Sequence, residues 1–278
     1  MHEFSNTEIT HLTSVLRETA RQEILPRFRK LDAGDILTKS GAFDLVTEAD
    51  TRAEKAITAA LHAAYPEALV VGEEAVAADN SIRDALPDAP LAFLVDPVDG
   101  TWNFARGLAT FGTILAATHF GAPTMGLIYD PIGDDLVWAN TTEQAAFQNS
   151  QGSEHTVKTA SAKPLDQLSG YIHLKLMPPE KQPAIAALFP LIGQPGSLRC
   201  SAHEYRLIAQ GHVDFVLSTC MTPWDHAAGV LLCQQAGGVA RMLDGSAYSA
   251  NLQEGPLLVA SCEEVWRELH TKFAPILL

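Results

Sequence analysis

Little in this 278-residue chain ties it to an oxidising compartment, a membrane or a polyanion. Its four cysteines, Cys200, Cys220, Cys233 and Cys262, show no CxxC spacing, which argues against a zinc ribbon or a disulfide scaffold and for free thiols in a reducing compartment. No segment offers about 18 uninterrupted apolar residues. The opening MHEFSNTEIT has no basic stretch followed by an apolar run, so neither a membrane span nor a leader is expected and the protein reads as cytoplasmic. Basic residues are scarce: 19 Lys and Arg stand against 33 Asp and Glu, a net charge of −14. That balance argues against nucleic acid or an anionic membrane as a partner, and a small anionic ligand would need a local reversal of the field. Repeats and low-complexity tracts are missing too. The length suits a single domain of two packed lobes. The polar stretch QNSQGSEHTVKT near 148–159 is where lobes of approximately 1–155 and 156–278 are expected to meet, although its composition equally suits a surface loop.

The elements alternate in type. Ser5 and Glu8 form an S-x-x-E capping box, and apolar residues from Ile9 to Leu25 recur at helical spacing, predicting a helix over about 6–29. The segment LTKSGAFDLVTEAD reads as extended and delivers Lys39, Asp44, Thr47 and Asp50. A second box, Thr51 with Glu54, predicts a helix ending near Tyr65-Pro66. Leu69 to Val71 then make a short strand ending in Gly72-Glu73-Glu74. Segments 112–118, 124–129 and 136–138 look like an antiparallel meander with Gly121-Ala122-Pro123 as one turn. Beyond about residue 160, strand-like pieces (170–174, 213–217, 239–242, 257–260) alternate with helical ones (202–210, 263–273), a mixed α/β pattern.

Three of these elements end on acids. The run LAFLVDPVDGTWNF places Asp96 and Asp99 around Pro97-Val98, which predicts a sharp turn at a strand end. Two carboxylates that close repel unless a cation, a proton or an arginine neutralises them; an ordinary Asp-Pro-Gly turn is the alternative. In PWDHAAGVLLCQQAGG, Pro223 suits a helix start and Asp225 its first turn, where a cap or dipole partner would also be acidic. With Glu73, these make four carboxylates at element ends, where ligands gather in α/β proteins. Carboxylates without thiolate or imidazole neighbours select Mg²⁺ or Mn²⁺ over zinc, and His226, about 100° round the helix from Asp225, reads as a packing or supporting residue. Such ions would also reverse the local field. Gly100 and Thr101 can present amides to a phosphate if the chain turns helical there. The Thr101 hydroxyl can face an attacking water, with Asp50 as acceptor of its proton, or both residues can simply cap helices.

Lys39 with DLVTEAD (44–50), GEE (72–74), DPVDGTWNF (96–104) and WDHAAG (224–229) resemble, in order and spacing, the motifs of the inositol monophosphatase family of magnesium-dependent, often lithium-sensitive phosphatases. The resemblance implies a layered αβαβα α+β fold and a homodimer. It implies that Glu73, Asp96 and the Val98 carbonyl hold one metal and that Asp96, Asp99 and Asp225 hold a second, with two or three Mg²⁺ in all and Mn²⁺ as a substitute. It also implies that Thr101 and Asp50, with Glu73, serve the nucleophilic water and that the Gly100 and Thr101 amides hold phosphate. Two positions depart from it. Trp102 stands where a small or polar residue is common, so its ring either stacks on a leaving group or belongs to the core or a lid. Ser218 stands where inositol-specific members carry a glutamate that reads a substrate hydroxyl. The expected activity is a phosphomonoesterase acting on a small phosphorylated metabolite. Histidinol phosphate, a sugar bisphosphate or a phosphoadenosine nucleotide are alternative substrates, and a catalytically silent metal- or phosphate-binding regulator is an alternative of another class.

Overall fold

The computed structural model describes residues 1–41 and 44–278. Helix α1 (Asn6–Thr19) starts at the expected Ser5–Glu8 box. It does not run to residue 29: the chain widens into a π turn over Ala20–Ile24, with the Leu25 amide bonded to the Ala20 carbonyl. Pro26 has no amide to continue the ladder, which ends the helix there. A hairpin of β1 (Ile36–Gly41) and β2 (Asp44–Thr47) follows; Ala42 and Phe43, within the stretch read as extended, lie outside the described residues. Helix α2 (Glu48–Ala64) is capped by Thr47 and Asp50, not by Thr51 and Glu54. The Asp50 carboxylate accepts from the Thr47 amide, while the Glu54 carboxylate accepts from the amides of Glu74 and Ala75 at 2.7 and 2.8 Å. Glu54 thus serves the start of the next helix instead of its own.

Seven strands form the larger sheet in sequence order: β3 (Leu69–Gly72), β4 (Ala92–Asp99), β5 (Gly112–His119), β6 (Ala122–Asp130), β7 (Asp135–Asn140), β8 (Ala146–Gln148) and β9 (Glu154–Thr156). Only β3 and β4 are parallel; the rest is the expected meander. Its β5–β6 turn is Phe120-Gly121, with Ala122 and Pro123 already in β6. The segment 148–159 carries β9, a strand the polar composition hid. Short helices α3 (Glu73–Ala78), α4 (Ser81–Asp84) and α5 (Thr101–Ala105) lie between these strands. The second sheet has the order β11 (Gln194–Gly196), β10 (Ser169–Ile172), β12 (Phe215–Ser218), β14 (Leu257–Ala260), β13 (Val239–Met242). Helices α6 (Gln182–Ala186), α7 (Ser201–Ala209), α8 (Pro223–Gln235) and α9 (Glu263–Leu277) complete the chain.

Both faces of the larger sheet are buried, as its period of two makes visible. Phe93 and Val95 of β4 join Leu12, Leu16, Ile57 and Leu61 of α1 and α2 on one side. Leu94 of the same strand faces Tyr205 and Ile208 of α7 and Ala227, Ala228 and Leu232 of α8 on the other. Those two helices also pack on Val216 and Val259 of the second sheet. Its far face carries Phe215 and Leu217 against Ile185 of α6 and Val265, Leu269 and Phe273 of α9. The order is α, β, α, β, α, the layering expected. Helix α8 lies between two sheets, which is why it is apolar almost all round. All four cysteines are free thiols, and among the described residues no helix is long and apolar enough to cross a membrane.

Candidate active site

The two aspartates of LAFLVDPVDGTWNF do not sit on a turn: β4 runs through both, with a bulge between them. Asp96 pairs with Ile114 and Asp99 with Gly112, so three steps on β4 oppose two on β5. Pro97 removes one ladder donor. The Thr113 hydroxyl donates to the Pro97 carbonyl at 2.8 Å, and the Val98 amide donates to Asp96 Oδ1 at 3.1 Å. The bulge aims both carboxylates the same way. Asp225, in the first turn of α8, meets them: one oxygen from each of Asp96, Asp99 and Asp225 lies within 4.8 Å of the others. Glu73, at the start of α3, lies within hydrogen-bonding reach of Asp96 and accepts from Lys39 Nζ at 2.7 Å; Lys39 also reaches Glu74 at 2.6 Å.

Burial drives the electrostatics. Asp96 is pushed well above the usual carboxylate range by desolvation and then by the charges of Glu73, Asp99 and Asp225. Asp99 is pushed up to about 7 by burial and then by Asp225, against donors that lower it, the Ala202 amide and the Cys200 thiol. Glu73 and Asp225 shift the same way, chiefly through burial. A cluster that binds protons this tightly answers to any cation that replaces them. The donors are all oxygen. His226 faces elsewhere, its Nδ1 on the Tyr205 hydroxyl at 2.9 Å and its Nε2 on the Cys220 carbonyl at 2.7 Å, and the Cys200 thiol is held protonated by burial and by Asp99. The set fits a hard divalent cation and offers nothing to a soft one.

Past Asp99 the chain turns through Gly100 at φ +89° into α5. A Cβ there would stand 2.8 Å from the Thr110 carbonyl and 3.2 Å from Cys200 Cβ, so only glycine makes this turn. The Thr101 hydroxyl follows, 3.0 Å from Asp50 Oδ1 and 3.0 Å from the Val98 carbonyl. Asp50 is 1% exposed and raised to about 7, first by burial and then by the charges of Glu73 and Glu74. The helix-capping role of Asp50 and its contact with Thr101 therefore coexist: one carboxylate oxygen caps α2 and the other meets the hydroxyl.

Trp102 is partly exposed, with the Arg199 guanidinium 4.1 Å and the Arg106 guanidinium 5.9 Å from its ring; it is not a core residue. Ser218 is 1% exposed, and its hydroxyl exchanges 3.3 Å bonds with the Cys220 backbone. Those bonds hold the turn leading to Thr222, whose own hydroxyl donates to Asp225. The sequence reading missed Cys200 and Ala202 behind Asp99, Glu54 behind α3, and a buried pair, His173 with Glu204. Each joins segments far apart in the chain, so no local spacing announces it.

A sequence profile of the inositol monophosphatase family matches residues 5–277. Similar proteins include the inositol-1-monophosphatase of Caulobacter vibrioides, 28% identical over 249 residues covering 82% of this chain and 87% of that one. The Nus factor SuhB of Pasteurella multocida is 28% identical over 237 residues, 84% of each chain. Among solved structures, an inositol monophosphatase from Zymomonas mobilis superposes with a TM-score of 0.78 at 25% identity over 97% of this chain and 99% of the other. A profile match from the first helix to the last places the chain in the inositol monophosphatase family.

Proposed function

We propose that the protein is a Mg²⁺-dependent phosphomonoesterase acting on a small phosphorylated metabolite. The observation that carries this reading is the Thr101 hydroxyl, bonded to Asp50 and to the Val98 carbonyl and one turn beyond the three-carboxylate cluster. Glu73, Asp96 and the Val98 carbonyl would hold one cation, and Asp96, Asp99 and Asp225 a second. Ions so held neutralise phosphate charge and acidify water. Thr101 would take a proton from the attacking water as its own proton passes to Asp50, whose affinity near pH 7 suits that exchange. The backbone amides of Gly100 and Thr101 would hold phosphate oxygens as the ester oxygen departs.

Phosphate release from a panel of monoesters, with Mg²⁺ and then with EDTA, tests the reading. Activity that persists undiminished in EDTA would remove the metal from the mechanism. Thr101→Val keeps the shape and deletes the hydroxyl, so kcat is expected to fall by about 10²-fold or more with KM changed only a few-fold. A wild-type kcat in that variant would remove Thr101 from the proton path. Lithium is expected to slow turnover by competing for the position among Asp96, Asp99 and Asp225; rates that stay flat across a titration balanced with potassium would count against that.

A second reading, a silent binding protein, draws support from relatives named Nus factor SuhB. The retention of every acidic donor together with Thr101 and Asp50 weighs against it, and phosphate release separates the two.

A further inference from the structure

The segment Ser197 to Cys200, between β11 and α7, is pinned by side chains from three directions. The Leu198 amide donates to Glu204 Oε1 at 2.7 Å. Asn103 Nδ2 donates to the Leu198 and Arg199 carbonyls at 2.9 and 3.4 Å. The Cys200 thiol donates to Asp99 Oδ2 at 3.1 Å. Glu204 is 0% exposed and Asn103 4%. The result is an arginine at φ +55°, a left-handed conformation that a long side chain seldom adopts and that persists only where its surroundings enforce it. Strain held by buried anchors on both sides, one of them reaching back to a carboxylate of the cluster, marks a residue whose direction matters.

That direction is outward and over the phosphate turn. Arg199 is exposed, and its guanidinium stacks 4.1 Å from the ring of Trp102, the residue after Thr101. The backbone beneath lies against Gly100, whose missing Cβ would sit 3.2 Å from Cys200 Cβ. A guanidinium stacked on an indole keeps its planar fork of donors in one orientation, and that fork matches a carboxylate or phosphate bidentately. The tryptophan that departs from the family pattern at this mouth and the cation stacked on it thereby have one explanation. In a chain of net charge −14, a neutral polyol gains little from such a group, whereas an anion gains a partner that the metal cluster does not supply.

We propose that Arg199, oriented on Trp102, binds a second anionic group on the alcohol portion of the substrate, so that the preferred substrates are phosphate esters of alcohols that themselves carry a carboxylate or a further phosphate. This rests on the phosphomonoesterase reading, and binding and turnover are measured apart so that the two can fail separately. The probes are glycerol 2-phosphate, with a neutral alcohol, 2-phosphoglycerate, with a carboxylate, and fructose 1,6-bisphosphate, with a second phosphate. Calorimetry in Ca²⁺ measures binding to the full-length protein, and phosphate release in Mg²⁺ measures turnover. Wild-type protein is expected to bind at least one acidic ester tenfold or more tightly than the neutral one, and which acidic ester does so identifies the anion. Arg199→Gly removes the guanidinium in a backbone conformation that glycine adopts freely, so the protein should stay folded and the preference should shrink below threefold. Arg199→Lys, a point charge without the fork, should fall between. An equal affinity for all three esters in wild-type protein, or a preference that survives Arg199→Gly, overturns the proposal. A preference lost in Arg199→Gly, with no phosphate released by wild-type protein, upholds the subsite and overturns the enzyme.

Discussion

Asp99→Asn is expected to abolish turnover while making the metal-free protein more stable. Asp99 shares its site with Asp96 and Asp225, three carboxyls with oxygens within 4.8 Å of one another. As a carboxylate it can serve a cation; as an amide it is a neutral and poorer ligand. Loss of a metal contact worth several kcal/mol of transition-state stabilisation corresponds to a fall in kcat/KM on the order of 10³-fold. Stability moves the other way. Burial and the Asp225 charge raise the Asp99 carboxyl to about 7, so the folded protein holds this proton more tightly than the unfolded chain does. For such a group, stability present below the unfolded value declines as pH rises toward 7. Asparagine removes that decline and can keep its carbonyl on the Ala202 amide and the Cys200 thiol. In EDTA at pH 8 the variant should gain about 1–3 kcal/mol, a few degrees in Tm, and Mg²⁺ should raise its Tm far less than it raises that of the wild type. A variant that turns over at the wild-type rate, or that melts well below wild type in EDTA, would overturn the role given to Asp99.

The parts legible in the sequence are those whose cause is local. The meander segments 112–118, 124–129 and 136–138, the Ser5–Glu8 box and the Pro223 start of α8 depend on a few adjacent residues, and the structure has strands and helix starts there. The four acids at element ends were legible because strands and helices end on proline, glycine and capping residues that can be read directly. The failures have a common form. Thr51 with Glu54 fits the capping template as well as Thr47 with Asp50, but only the latter begins the helix, because Glu54 finds better partners in the amides of Glu74 and Ala75. The Cys200 to Asp99 contact, the His173 pair with Glu204 and the Arg199 stack on Trp102 each span roughly 30 to 100 residues of chain. Tertiary contacts of that reach leave no trace in periodicity or spacing.

Gly229→Ala is expected to destabilise the protein strongly, although helix propensity alone favours alanine by about 1 kcal/mol. Gly229 lies one turn after Asp225, on the face of α8 that meets α7. A Cβ at 229 would stand 2.0 to 2.3 Å from ring carbons of Tyr205, far inside van der Waals contact. The ring has no easy retreat: Tyr205 is 1% exposed and its hydroxyl is bonded to His226 Nδ1 at 2.9 Å. Accommodating the methyl means sliding α8 against α7 between two sheets, at the upper end of overpacking costs, about 3 kcal/mol, so after the propensity gain a net loss of about 2 kcal/mol and a Tm lower by roughly 4–8 °C are expected. Because Asp225 and Gly229 share a helix face at spacing i, i+4, the same shift carries Asp225 away from Asp96 and Asp99. The Mg²⁺-induced rise in Tm should therefore shrink even at temperatures where the variant is folded. Thermal unfolding with and without Mg²⁺ reads both effects, and a double variant with Tyr205→Leu should recover part of the loss, giving a coupling energy for the contact. If Gly229→Ala instead melts at or above the wild-type temperature, as propensity alone dictates, the final glycine of WDHAAG is not there to seat α8 on Tyr205.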